Sequence, residues 1–153
     1  MYPFMLATHN VFRWVVLAAA LYALFRVWSG WLGKRNWDAA DDKARTFFTI
    51  GMDIQFLVGL ILYFVLSPFT KSAMENFGEA MRNPDLRFFA MEHLITMLLA
   101  TICVHVGSAL IKKTADPIAK HKKGVIWFTI AIVLILIRTP WFRPMFRAFT
   151  GGE

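Results

Sequence analysis

Four histidines are the side chains of this sequence best suited to chemistry: His9, His93, His105 and His121. A neutral imidazole is a common ligand of transition metals and haem iron, and ionisable residues inside a membrane usually serve a function. The single cysteine excludes a disulfide framework and a c-type haem attachment motif. The chemistry of this chain therefore depends on where its histidines lie.

The composition indicates a membrane protein. The chain has 153 residues, of which 58% are apolar, whereas soluble chains average roughly 45–50%. So small a soluble domain has too little interior to bury this apolar surface. The net charge of +7 does not indicate a nucleic-acid partner, because the charged residues fall between apolar runs and read as topology signals.

Four apolar segments approach the roughly 20 residues that a helix needs to cross a bilayer: 8–33, 47–67, 85–112 and 118–140. Asn83-Pro84 and Asp116-Pro117 predict the N-caps of the third and fourth helices. The sequence predicts an all-α fold, an integral membrane four-helix bundle forming a single domain over 1–153. Ser72 and Glu75 form a capping-box pattern, which predicts a short interfacial helix over 72–82; an ordinary loop is the alternative.

The charge distribution predicts the orientation of the bundle. The first and third loops carry nine lysines and arginines, whereas the second loop and the tail carry six, including Arg143 and Arg147. The positive-inside rule then places the first and third loops in the cytoplasm and both termini on the outer, periplasmic side.

The four histidines sort into two pairs by depth. His93 lies about 13 Å along its helix from Pro84, in the outer half of the membrane, and His9 lies at the outer entrance of the first span. His105 lies roughly 10 Å, and His121 about 7 Å, from the inner ends of their helices. Each pair joins two helices, which predicts two stacked haems, each held by two imidazoles. However, the twelve residues between His93 and His105 place them about 120° apart around the helix, so a single haem stays an alternative.

Other polar residues within the spans are candidates for supporting roles. Arg13, Arg87 and Arg138 are candidates to pair with haem propionates, although Arg87 and Arg138 also suit contact with lipid headgroups. Asp53 and Gln55 are candidates for a proton or quinone site near the inner haem, with pairing of Asp53 to an arginine such as Arg26 as the alternative. Glu92 is a candidate for a quinone site at the outer haem.

Several stretches resemble the short four-helix bacterial membrane proteins described as cytochrome b or cytochrome b-like. They are Thr8–Trp14, Leu86–His93, His105 and Lys120–Lys122. The resemblance implies haem b, electron transfer in the bacterial inner membrane, and a redox partner or larger membrane complex.

The sequence thus predicts a membrane b-type cytochrome, with one or two haems, that carries electrons between a quinol and a partner. The sequence predicts no catalytic residues, so the chain is expected to be an electron carrier or an oxidoreductase subunit. Two alternatives remain. In the first, His9, His93 and Glu92 bind copper or another transition metal. In the second, the chain is a cofactor-free accessory subunit of a larger complex.

Overall fold

A computed structural model describes residues 1–141, which form seven α-helices and, within that range, no β-strand. The elements are α1 (Tyr2–Leu32), α2 (Ala39–Ile61), α3 (Pro68–Glu75), α4 (Phe77–Ala80), α5 (Pro84–Arg87), α6 (His93–Lys112) and α7 (Pro117–Arg138). π-Helical turns continue α2 over Leu62–Leu66 and join α5 to α6 over Phe88–Glu92. The tail arginines at 143 and 147, which contribute to the predicted charge bias, lie outside the described residues.

The four long helices form an antiparallel bundle. α1 lies between α2 and α7, and α6 closes the ring by packing against the same two helices. One end of the bundle, here called the His9 end, brings His9 next to Gln55 of α2. The other end, called the His121 end, brings His121 of α7 against Gly30 of α1.

Three helical segments are long and apolar enough to cross a membrane: Tyr2–Leu32, Ala39–Leu66 and Pro84–Lys112. Large apolar side chains on their outer faces are exposed, Leu21, Leu57 and Ile102 among them, as expected of surfaces that contact lipid. The chain is therefore a multi-pass membrane protein. The first turns of α7 carry three lysines, which leaves an apolar stretch over 124–137 of only about 21 Å, so its crossing stays a prediction.

The bundle core combines alanines, larger aliphatic side chains such as Leu17 and Ile132, and two aromatic rings. Ala20, Ala100 and Ala131 are fully buried, and small side chains let neighbouring helices approach closely. Phe48 of α2 and Phe128 of α7 meet edge to face in the centre, with ring centroids 5.4 Å apart. This core separates the His9 end from the His121 end.

The predicted N-caps of the third and fourth helices are confirmed. The Asn83 side chain accepts hydrogen bonds from the backbone N–H groups of Asp85 and Leu86. The Asp116 side chain accepts one from Ala119. The second helix begins at Ala39 rather than at residue 47, because Asp38 and Asp41 form a capping box ahead of the apolar run.

The predicted interfacial helix differs in its start. Ser67 caps α3, and Pro68 occupies the first helical position, so the helix begins before Ser72. The capping box predicted at Ser72 and Glu75 is therefore wrong. A second cap lies at Asn76, whose side chain accepts a hydrogen bond from the backbone N–H of Glu79 at the start of the separate helix α4.

Candidate functional site

Two histidines from different helices meet at a cavity in the His9 end. His9 lies in the second turn of α1, and His93 is the first residue of α6. Their ring centroids are 6.5 Å apart, and their planes are inclined by 78°. Both rings line a cavity of about 430 Å³, a volume within the roughly 300–1,000 Å³ typical of ligand and cofactor sites.

The separation of the two rings matches axial ligation of one metal ion. A metal bonded to an imidazole nitrogen at about 2.0 Å stands about 3.2 Å from the ring centroid. Two imidazoles on opposite sides of one ion therefore have centroids about 6.4 Å apart. The observed 6.5 Å between His9 and His93 agrees with this value.

The ring of His93 is held in the tautomer that a metal ligand needs. Its Nδ1 lies 2.8 Å from the backbone carbonyl oxygen of Arg138. A carbonyl oxygen only accepts, so Nδ1 carries the proton, and Nε2 keeps its lone pair for a ligand. Such a contact to the second ring nitrogen is the usual way to orient a metal-binding histidine.

Local sequence explains how His93 reaches this position. Phe88–Glu92 form a π-helical turn directly before it, and wider turns of this kind often occur at functional sites. The ring of Phe88 stacks on that of His93 with centroids 5.8 Å apart. The turn and the stacked ring together fix the direction of the imidazole.

The environment of His9 leaves polar atoms without partners. The Nδ1 atom of His9 and Oε1 of Gln55 are buried and make no hydrogen bond in the described part of the chain. Gln55 instead donates from Nε2 to the backbone carbonyl of His9 at 3.0 Å, and the same nitrogen lies 3.4 Å from Nε2 of the imidazole. Unsatisfied buried polar atoms are costly, so they favour a bound group at this site.

The cavity wall is mostly apolar and contains an arginine. Its lining combines apolar side chains such as Leu6, Phe56 and Met97 with a few polar ones. Among these is Arg13, one turn after His9 and only 9% exposed. Gly59 contributes by lacking a side chain, since a Cβ there would approach Cε1 of His9 to 3.3 Å. Of the three arginines predicted to bind propionates, Arg13 lines the cavity.

The other two arginines predicted to bind propionates lie elsewhere. Arg87 contacts Glu92 at 2.7 Å and Arg138 contacts it at 3.1 Å. One carboxylate thus pairs with both guanidinium groups, and none of the three residues lines the cavity. Arg138 contributes to the site through its backbone carbonyl, a role that the sequence pattern did not reveal.

The structure does not bring the predicted inner pair together. Gly107 of α6 faces α7, because a Cβ there would meet Trp127 Cβ at 2.6 Å. His105 lies two residues earlier, about 200° around the helix, and its Nε2 is 2.6 Å from Oδ1 of Asp53 on α2. The ring of His121 packs instead against Gly30, where a Cβ would come within 2.2 Å of it. These positions give no support to a second haem between His105 and His121.

His121 belongs to a polar cluster that closes the His121 end. The carboxylate of Asp41 is fully buried and receives hydrogen bonds from Arg26 at 2.7 Å and from Arg35 at 2.9 Å. The nearer oxygen of Asp41 lies 3.9 Å from Nε2 of His121. Arg26 therefore pairs with Asp41 and Asp38 rather than with Asp53.

The loop between α1 and α2 is ordered by the same cluster. Asp38 accepts a hydrogen bond from the backbone N–H of Asp41 and from the side chain of Arg26. Both contacts favour the charged carboxylate and lower the pKa of Asp38 below its ordinary value. The spacing of Asp38 and Asp41, a capping-box pattern, was the available sequence signal for this cluster.

Among the described residues, no group of three or more histidine, cysteine or acidic side chains is arranged to hold a metal ion. Comparison of the chain with protein-family models, curated proteins and solved structures finds no match. The resemblance to cytochrome b-like proteins therefore stays a prediction from the residues themselves.

Proposed function

We propose that this chain is a membrane b-type cytochrome that holds one haem b between His9 and His93. The observation that carries the proposal is the 6.5 Å separation of the two imidazole rings across a cavity of cofactor size. Bound haem would supply a centre that takes up and releases one electron at a time. In the bacterial inner membrane this centre would pass electrons from a quinol to a redox partner or larger complex.

The chain's own residues have distinct parts in this function. His93 presents Nε2 because the backbone carbonyl of Arg138 accepts a hydrogen bond from Nδ1–H, and His9 would supply the second imidazole ligand. Arg13 provides the positive charge for a propionate. The apolar wall excludes water from the site, and such burial helps set the redox potential of a haem. By the positive-inside rule, the His9 end faces the periplasm.

Haem suits the site better than a bare transition metal does. A porphyrin supplies four ligands, so two histidines complete the coordination, whereas a bare ion such as zinc usually needs three or four protein ligands. Glu92, the expected third ligand, instead contacts Arg87 and Arg138. The geometry therefore favours haem over the alternative of copper or another transition metal.

Titration of the haem-free protein tests the assignment. In detergent, added haem should bind with a break at one equivalent per chain and give the spectrum of a six-coordinate, low-spin haem. Zinc and copper ions, titrated in parallel, should bind more weakly and without a defined break. Tight stoichiometric binding of a metal ion with no haem binding would instead establish the metal-handling alternative. Binding of neither would favour a cofactor-free accessory subunit.

A further inference from the structure

A carboxylate and an imidazole lie together on the outside of the bundle, in the groove between α2 and α6. Nε2 of His105 is 2.6 Å from Oδ1 of Asp53, and the two side chains are 50% and 47% exposed. His105 is seven residues from Lys112, about 10 Å along the helix. Because α2 and α6 belong to segments that can span a membrane, this pair faces the hydrocarbon region.

The pair has polar atoms left over. Oδ2 of Asp53 and Nδ1 of His105 make no hydrogen bond to the described residues. Placing an ionisable group in a bilayer costs free energy, and such groups usually belong to functional sites. Two unsatisfied polar atoms that face lipid therefore favour a membrane-soluble ligand that can form hydrogen bonds with them.

The Asp53–His105 pair is not needed to hold α2 and α6 together. One to two turns closer to the His121 end, Arg45 of α2 already donates to the hydroxyl of Ser108 on α6 at 2.7 Å. This contact is buried, whereas the Asp53–His105 pair is not. Arg45 also contacts Asp42 at 3.3 Å, so polar groups continue from the pair towards the end of the bundle.

We propose that Asp53 and His105 bind the head group of a lipophilic hydroquinone that enters from the bilayer. The carboxylate of Asp53 accepts a hydrogen bond from Nε2–H of His105, so Nδ1 of a neutral imidazole is an acceptor. Together with Oδ2 of Asp53, it offers two acceptors, which suit the hydroxyl donors of a hydroquinone. The choice of ligand rests on the proposed electron-transfer function; the site itself lies outside the haem cavity.

The surface next to the pair suits a long apolar tail. Leu57 of α2 and Ile102 of α6 lie about one turn nearer the His9 end, and both are exposed. A lipid acyl chain also fits this surface but offers no hydroxyl to the pair. A second copy of the chain is less well matched, because close helix packing in membranes favours small residues, and this face carries large ones.

Binding of a tritiated, decyl-substituted para-hydroquinone to the full chain in lipid nanodiscs tests the proposal. Empty nanodiscs of the same lipid correct for partitioning, and haem-free and haem-loaded protein are compared. The loss of one charge-assisted hydrogen bond corresponds to an affinity loss of about 10-fold or more. We expect a loss of this size for Asp53→Asn and a smaller, few-fold loss for His105→Ala, because the neutral imidazole accepts an uncharged hydrogen bond. The dimethyl ether of the probe, which has no hydroxyl, should bind the unaltered protein equally weakly.

Asp85→Asn, which removes an exposed carboxylate at the start of α5, is the control and should bind as the unaltered protein does. An unchanged circular dichroism spectrum shows that each variant is folded. Equal affinity of the hydroquinone for the variants and the unaltered protein, or no binding above empty nanodiscs, would overturn the proposal. Hydroquinone binding by a protein that never takes up haem would support this site while refuting the cytochrome function.

Discussion

Replacing His93 with alanine is expected to abolish haem binding, with less than about a tenth of the haem of the unaltered protein remaining. The substitution removes one of the two proposed haem ligands and also the hydrogen bond between α6 and the carbonyl of Arg138. Axial ligation is the main bond between a b-type haem and its protein, so the remaining ligand, His9, is insufficient. Haem per chain in the purified variant measures the effect.

His105→Ala is the matched control, because it changes the same residue type on the same helix. His105 contacts Asp53 outside the cavity, so this variant should keep its haem and its spectrum. The His9→Ala variant should behave like the His93 variant. Loss of haem in the His105 variant, with retention in the His93 variant, would instead favour the inner pair of histidines predicted from the sequence.

The second large effect is expected for Asp41→Asn at the opposite end of the bundle. The fully buried carboxylate of Asp41 is shared by Arg26 and Arg35, and its neutralisation leaves the more exposed Asp38 as the carboxylate partner of both guanidinium groups. Removing one partner from a buried ion pair costs roughly 3–5 kcal/mol. Because the arginines are partly exposed, we expect a loss of about 2–4 kcal/mol in the free energy of unfolding.

The neighbouring substitution Asp42→Asn provides the comparison. Asp42 is largely exposed and contacts Arg45 at 3.3 Å, and an exposed pair of this kind contributes about 1 kcal/mol or less. Unfolding of both variants in mixed detergent micelles, followed by circular dichroism, gives the two free energies. Equal stability of the two variants would show that the polar cluster does not hold the His121 end together.

The sequence was sufficient to predict the helical architecture and the main histidine pair. Asn83-Pro84 and Asp116-Pro117 precede long apolar runs. Such runs form α-helices in a membrane, because a helix satisfies the hydrogen bonds of its own backbone. Depth along each helix follows from a rise of about 1.5 Å per residue. That rise alone places His9 and His93 at matching depths.

Depth alone does not determine which side of a helix faces which neighbour. His105 and His121 lie at similar depths, but α6 turns His105 towards α2, while Gly30 leaves room for His121 against α1. The partners of Arg87 and Arg138 were missed for a related reason. The π-helical turn over Phe88–Glu92 changes the register of the helix, and Glu92 consequently reaches both arginines.

The central claim is that one haem is bound between His9 and His93. A dithionite-reduced minus oxidised visible spectrum of the detergent-purified protein, with haem quantified per chain, tests it most directly. We predict the bands of a b-type cytochrome at one haem per chain. Two haems per chain, or no haem in protein from cells that assemble other cytochromes, would contradict the claim.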